Sequence, residues 1–424
     1  MKMTSKLITV YEVSKILSLS IDTIKRWEKK GLVKSQRSSL NHRLFNLEEL
    51  SRIQTKISGN NHDNKYRILK SNKKTKYQVI ELFAGAGGTA LGFHNAGLRH
   101  ALLTDWDKNA VETLKKNRPE WNSLQADVRD IDFSSYKADI VEGGFPCQAF
   151  SYAGKRLGFE DIRGTMFFEF ARCIKETNPK VFMGENVRGL LRHDGGKTLN
   201  SIVSILKDLG YRVAYKVLRA QYLDVPQKRE RLIILGVRKD LKLPILFPRE
   251  KDYTVSIKEA LRDCPESAGQ QYPQSKKDIL SKIPPGGYWK DLPVDLQKKY
   301  MGASFYMVGG KTGMARRLSW DEPSLTLTCA PAQKQTERCH PEETRPLTVR
   351  EYARIQTFPD NWIFSGSMSS QYKQIGNAVP TNLGFHMGKC LIAMLENKPD
   401  ERTMEVIYPG QEVDLNERVI TLGL

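Results

Sequence analysis

Six cysteines, at positions 147, 173, 264, 329, 339 and 390, carry the most nucleophilic side chains of this chain. They are scattered and form no C-x-x-C pair, so neither a disulfide framework nor a structural metal site is expected. Each is then a packed thiol or a reactive one. Cys147 differs from the others in setting: GGFPCQAFSYAGKRLGFEDIRGTMFFEF places it after an apolar run, in a loop bounded by Gly and Pro. A thiol there can be exposed at the carboxyl edge of a sheet, where open α/β sheets bind ligands, and can act as a nucleophile. Two other segments can face the same cleft. VFMGENV ends in Glu185 and Asn186, and VPQKRERLIILGVR puts Arg229 and Arg231 on one side of an extended stretch. A packed cysteine, a surface glutamate or a solvated basic run would each explain one of these; their conjunction argues for a reactive site.

A second constellation suits a nucleoside. ELFAGAGGTALGF follows an apparent strand and opens a helix, with Gly85, Gly87 and Ala90 fitting G-x-G-x-x-A. Small residues there allow a ligand to approach a helix N-terminus closely, although the motif alone also fits NAD and FAD sites. Asp105 ends the next apparent strand, where a carboxylate can bind a ribose diol; Trp106 can lie against adenine, and Asp127, after a third strand, can take its exocyclic amine.

The elements that must position these residues follow from the pattern. Over 77–240 the runs QVIELF, ADIVEGG, KVFMGENV and RLIILGV alternate with helical stretches, predicting an α/β fold with a doubly wound, Rossmann-like sheet. The segment 241–344 loses the alternation and reads as a smaller domain; helical patterns in 345–398 suggest a return to the first domain, and 399–424 is a tail without assignment. Residues 1–58 read as a helix-turn-helix module in which Ile24 and Trp27 face inward and Lys25 and Arg26 outward, with Ser20 as cap and a short hairpin wing leading to a third helix. A helical protein-docking module is the alternative. The polar, basic stretch 59–76 reads as a flexible linker.

Lys and Arg number 67 against 48 Asp and Glu, a net charge of +19, which attracts polyanions. No run of 18 apolar residues or signal-peptide core is present, so nucleic acid is favoured over a membrane and a cytoplasmic location is expected.

Taken in order, FAGAGG, the acid–Trp pair, Asp127, the Pro-Cys loop, RGTMFFE, ENV, QKRER, RPLTVREYARIQTFP and QYKQIGNAVP resemble the cytosine-5 DNA methyltransferases of bacterial restriction-modification systems, from about 78 to 397. The N-terminal module lies outside that match and resembles the winged helix-turn-helix head of MerR-type regulators. The resemblance implies an S-adenosylmethionine-dependent methyltransferase sheet, a target-recognition domain in 241–344, and double-stranded DNA as substrate. It also implies a cognate restriction endonuclease as functional partner and a place near the bacterial nucleoid. It implies that Cys147 attacks C6 of a flipped cytosine while Glu185 holds N3 and the exocyclic amine. Arg229 and Arg231 would orient the ring and favour the thiolate. Phe83, Gly85, Gly87, Asp105, Trp106, Asp127, Val128 and Asn377 would hold the cofactor. Asp105 departs from the family, which usually has Glu there, so its ribose contact is expected to be longer or water-mediated.

Arg316, Arg317, Gln333 and Gln335 are candidates for base contacts, phosphate contact or plain solvation being the alternatives. Thr326 belongs to a Thr-Leu pair resembling one that recurs in the family's recognition domain. The rival functions are a transcription regulator with an inactive methyltransferase scaffold and a tRNA cytosine methyltransferase.

Overall fold

The computed structural model describes residues 7–16, 21–29, 33–38, 42–46, 66–146, 165–308 and 311–410. The N-terminal unit runs β1 (Leu7–Thr9), α1 (Val10–Ile16), α2 (Ile21–Lys29), β2 (Ser35–Arg37), β3 (Arg43–Asn46), with the strands antiparallel in the order β1-β3-β2. Ile8, Val13, Ile24, Trp27, Val33 and Phe45 close a small core between helices and wing. Lys25 is exposed on α2, and Glu28 ties that helix to β3 through Arg43 at 3.1 Å. Ser20, the side chain of Arg26 and the third helix lie outside the described residues.

The expected linker, 59–76, is described only from residue 66 onward. Its segment 66–76 is fastened to the large domain: Tyr66 donates to the Arg354 carbonyl at 2.9 Å, and the Leu69 amide donates to Asn382 at 2.9 Å. The Ser71 amide donates to the Asn95 carbonyl at 2.8 Å. Backbone amides and the Tyr66 hydroxyl fasten this stretch while most of its charged side chains stay exposed, so the flexible-linker reading fails for these residues.

The large domain follows with β4 (Gln78–Leu82), α3 (Gly88–Ala96), β5 (Arg99–Asp105), α4 (Lys108–Asn117), β6 (Ser123–Gln125), β7 (Ile140–Gly143), α5 (Met166–Thr177), β8 (Val181–Val187), α6 (Lys197–Asp208), β9 (Tyr211–Arg219), β10 (Gln227–Lys228) and β11 (Glu230–Arg238). Seven strands form one sheet in the order β6-β5-β4-β7-β8-β11-β9. β4 to β8 pair in parallel, and β11 runs antiparallel between β8 and β9. The chain moves outward from β4 through β6 and then returns to β7, so β4 and β7 meet at a topological switch point. Their carboxyl ends open the crevice in which such sheets bind ligands.

Register separates the two faces. Val79, Ile140 and Val181 are lateral neighbours in one core, while Ile80, Val141 and Phe182 are neighbours in the other. α5 and α6 cover the second face with Phe167, Phe170, Ile174, Leu199 and Ile202.

Beyond β11 come β12 (Ile245–Pro248), α7 (Gln274–Leu280), α8 (Val294–Met301), β13 (Ser324–Leu325), α9 (Val349–Ile355), α10 (Met368–Asn377), α11 (Thr381–Glu396) and β14 (Met404–Ile407). α11 lies across α3 at a contact that tolerates no side chain: a Cβ on Gly92 would stand 2.4 Å from the Thr381 carbonyl oxygen. Two boundaries shift from the sequence reading. β12 pairs with β14, and Ile245, Leu246 and Phe247 are buried in the same core as α11. The start of the 241–344 segment and part of the 399–424 tail are therefore built into the large domain, because each strand supplies the other's backbone partners. The smaller lobe has its own core, from Tyr272 through Trp289 and Tyr300 to Cys339.

Candidate active site

Cys147 lies outside the described residues, but the root of its loop does not. Phe145 is buried with its ring against Phe167 at 5.3 Å and Phe170 at 5.6 Å. Its carbonyl accepts the Nδ2–H of buried Asn186 at 2.9 Å. That bond fastens the Pro-Cys loop after β7 to the end of β8. Glu185, one residue earlier, turns to the opposite face, and a Cβ on Gly144 would stand 3.3 Å from its Oε2. The glutamate carboxyl therefore lies directly beside the chain three residues before Cys147.

Arg231 meets Glu185 across the β8–β11 ladder, with Nε 2.6 Å from Oε1 and both side chains 12% exposed. Enough of each is accessible for a ligand edge to reach it. Arg229 is different, being buried at 1% exposure, with long contacts of 3.4, 3.2 and 3.4 Å to the carbonyls of Leu327, Gly376 and Asn377. Burial, followed by the nearby Arg231, pulls its pKa well below the usual arginine range. Such a cation, held by carbonyls and not by a carboxylate, raises the local positive potential of the cleft.

The loop after β4 forms the other wall. Phe83 and Gly85 both take positive φ (59° and 53°), and a Cβ on Gly85 would meet nothing within 4 Å, so open space lies against that backbone. Asp105 accepts the amides of Gly85 at 2.8 Å and Asp107 at 2.9 Å, one on each oxygen. Burial raises its pKa, partly offset by those amides. The next residue, Trp106, is 76% exposed, a bare indole beside a half-buried carboxylate. α10 reaches this wall through Lys373, 3.0 Å from Asp107. One turn on, exposed Asn377 accepts the Cys329 thiol at 2.9 Å.

Other expected residues are differently employed. Asp127 is gripped by its neighbour: Arg129 donates Nε at 2.9 Å and its amide at 3.0 Å, and that pairing lowers the carboxyl to about 2. An adenine amine would have to share it. Val128 is buried and its carbonyl accepts from Arg172 at 2.8 Å. Gly87, also at positive φ (84°), packs against Leu114 and Trp362, not open space.

In the smaller lobe two of the expected DNA-binding residues have partners within the protein. Arg317 is 3% exposed and donates to the carbonyls of Leu280 and His340 and to the Thr344 hydroxyl. It clamps its own loop, so its donors are engaged within the lobe. Thr326 spends its hydroxyl proton on the Lys228 carbonyl at 2.7 Å, because it anchors the lobe to β10. Gln333 and Gln335 are exposed; Arg316 is half-buried, 5.6 Å over the Tyr288 ring.

Sequence reasoning missed the buried amide network that joins the lobes. Gln227 donates to Gln356 at 2.7 Å and accepts the Leu327 amide at 2.9 Å, and Gln356 donates to the Ile375 carbonyl at 2.6 Å. The only available signal was that Gln227 sits beside Arg229 in VPQKRER.

Comparison with known proteins agrees with this geometry. Residues 77–393 match the family described as C-5 cytosine-specific DNA methylase, and residues 9–45 match the MerR family of regulatory proteins. The chain is 56% identical to the type II methyltransferase M.Eco47II of Escherichia coli, covering 91% of this chain and 95% of that one. It is 50% identical to M.PspPI of Psychrobacter sp. (strain TA137), over 92% and 96% of the two chains. In fold it is similar to a DNMT2 mutant from Spodoptera frugiperda, with TM-score 0.54 and 17% identity over 75% of this chain and 100% of that one. The chain belongs to the C-5 cytosine-specific DNA methylase family, whose reaction is methyl transfer to C5 of cytosine in DNA.

Proposed function

We propose that this protein is the modification enzyme of a restriction-modification pair, that it uses S-adenosylmethionine, and that Cys147, Glu185, Arg229 and Arg231 carry its chemistry. The observation that carries the site assignment is the Glu185–Arg231 pair set against Gly144, beside the loop that leads to Cys147. Cytosine C5 is a weak nucleophile; addition of a thiolate to C6 turns the ring into an enamine whose C5 can be alkylated. A flipped cytosine laid against Glu185 presents N3 and its exocyclic amine to the carboxyl, which holds the proton that N3 gains as Cys147 closes on C6. Arg231 fixes the orientation of that carboxyl, and buried Arg229 favours the thiolate. Loss of the C5 proton to water then lets the sulfur leave as thiolate.

The wall after β4 fits the cofactor: Gly85 leaves room, Asp105 offers a carboxylate lone pair on each oxygen to ribose hydroxyls, and Trp106 offers a flat face. When bound, S-adenosylmethionine supplies an electrophilic methyl group. Phe83 and Asn377 would complete the pocket, with Asp127 and Val128 at its edge; Gly87 shapes the turn. Gln333, Gln335 and Arg316 remain candidates for reading the DNA sequence. The N-terminal module, with Lys25 outward, would bind a promoter and regulate this gene or that of the partner nuclease. No helix among the described residues is long and apolar enough to cross a membrane.

Labelled methyl transfer to duplex DNA and to tRNA tests the assignment. DNA should be methylated, Cys147→Ala should abolish turnover, and a duplex carrying fluorine at C5 of the target should trap a covalent complex, because fluorine cannot leave as a cation. Methylation of tRNA alone, of neither substrate, or by Cys147→Ala would overturn the reading. In footprinting at physiological salt, equal affinity for random and upstream DNA would remove the regulatory part.

A further inference from the structure

Three acids line one face of the sheet and run into the cleft. Glu81, Glu142 and Met183 are lateral neighbours on β4, β7 and β8, and Glu185, two residues past Met183, returns to the same face. Val79, Ile140 and Val181 precede them on that face, packed beneath α3 and α11. The acids therefore continue a core, and Glu81 is 0% and Glu142 2% exposed. Carboxyls in such a place cost stability that valine or leucine would not.

The three acids are partnered differently. His100 presents Nδ1 to Glu81 Oε1 at 3.1 Å, while its Nε2 donates to the Ala90 carbonyl at 3.1 Å. Glu185 has Arg231, with Arg229 close enough to feel its charge. No cation pairs with Glu142 among the described residues. The helices over this face bring His94, packed against Trp121, and His386, bonded to Asp224, so both are engaged elsewhere. Burial raises the Glu142 pKa well above the usual range, and the charges of Glu81 and Glu185 push the same way.

We propose that Glu142 and Glu185 hold one proton between them, and that Glu142 is the positioning residue that supplies it to Glu185 when cytosine enters. The proposal rests on the assignment of Glu185 to N3. Before cytosine enters, Glu185 is paired with Arg231 and the proton stays on buried Glu142. As Cys147 closes on C6, the O–H bond of Glu142 breaks, its proton passes to Glu185, and Glu185 delivers a proton to N3. Glu142 is left as a carboxylate. When C5 has lost its proton and the sulfur has left, N3 returns its proton by the same path and Glu142 is neutral again. The N3 proton is thus lent and returned without an outside donor, while the methyl cation gained at C5 is balanced by the C5 proton, which leaves to water.

The pH dependence of single-turnover methylation of duplex DNA, with saturating cofactor, tests this. Glu142→Gln cannot release a proton, so Glu185 beside Arg231 must be protonated from solvent. The alkaline limb of the rate should move to lower pH by at least about one unit, which is a rate about tenfold lower near pH 8 with a smaller loss near pH 6. KM for DNA should not change. Glu142→Asp, which keeps a proton, should restore much of the limb. Stability reads the fold separately. A raised carboxyl makes the folded state bind more protons, so wild type loses stability as pH rises from the unfolded-state value towards the folded one. Glu142→Gln should therefore gain on wild type at pH 8 relative to pH 4. A rate profile parallel to wild type at every pH overturns the proposal. Undiminished turnover by Glu185→Gln overturns instead the reading on which it rests.

Discussion

Replacing Asn186 with Ala tests whether the end of β8 positions the nucleophile loop. Its amide is 3% exposed, donates to the Phe145 carbonyl at 2.9 Å, and accepts the Val187 amide at 2.9 Å. Asn186→Ala leaves that carbonyl dry and unpaired, which costs about 1–3 kcal/mol. The Phe145 ring stays wedged between Phe167 and Phe170, so the loop keeps its root but its backbone is free to turn. Cys147 is two residues further on, and a misplacement of about 1 Å at a reacting atom lowers rates by roughly 10²-fold. We expect single-turnover methylation to fall 10- to 100-fold, by order of magnitude, with cofactor affinity unchanged because the loop after β4 is untouched. Urea denaturation should show the stability loss in the same preparation. If stability falls as stated but the rate stays within about twofold of wild type, the bond holds the sheet without aiming the thiol, and the argument is wrong.

Further outcomes follow from other contacts. Gly92→Ala puts a Cβ 2.4 Å from the Thr381 carbonyl oxygen and 2.6 Å from the Gly384 carbonyl carbon, both backbone atoms, so α3 and α11 must separate. The cost should be about 1–3 kcal/mol or more, and an unshifted denaturation midpoint would contradict the packing. Asp224 is buried, which alone would raise its carboxyl, but bonds from His386, Lys251 and Tyr253 overrule this and hold it well below the usual range. Its stabilisation is therefore complete above the unfolded value near pH ~4 and drains away below it. Asp224→Asn should cost about 1.5–3 kcal/mol at pH 7 and progressively less in acid; equal losses at pH 3 and pH 7 would refute the sign. Arg317→Met should destabilise the smaller lobe without changing which DNA sites are chosen. Gln335→Ala should weaken discrimination among sites at unchanged stability, and the reverse pattern in bisulfite sequencing would exchange their roles.

Much of the chemistry was legible in the chain because it depends on short-range facts. A cysteine in a Gly-Pro loop after an apolar run, a glutamate ending one strand and two arginines on one side of another need only strand periodicity to be read as a cleft. The same holds for the Gly-rich turn, whose positive φ values are local, and for Asp105, which is read from its place at the end of the next strand. The reading failed where an alternative partner lay far away in sequence. Arg317 was read as a candidate for base contact and Thr326 as part of a family Thr-Leu pair, yet carbonyls of Leu280, His340 and Lys228 engage them. The 66–76 stretch looked like linker because nothing local shows that Asn382 waits for it.

Composition, strand pattern and motif order by themselves determined the α/β class and the family and nominated the reactive groups, because each is encoded by residue type and spacing. Only the tertiary structure decided that β12 and β14 close together, that Gly92 sets the depth of α11, and that Asn186 reaches the nucleophile loop. It alone brought Glu81, Glu142 and Glu185 onto one face, 61 and 43 positions apart in the chain by residue number. The reason is physical: strand register and burial are collective outcomes of packing, and a carboxyl's proton affinity follows from neighbours that the sequence does not place beside it.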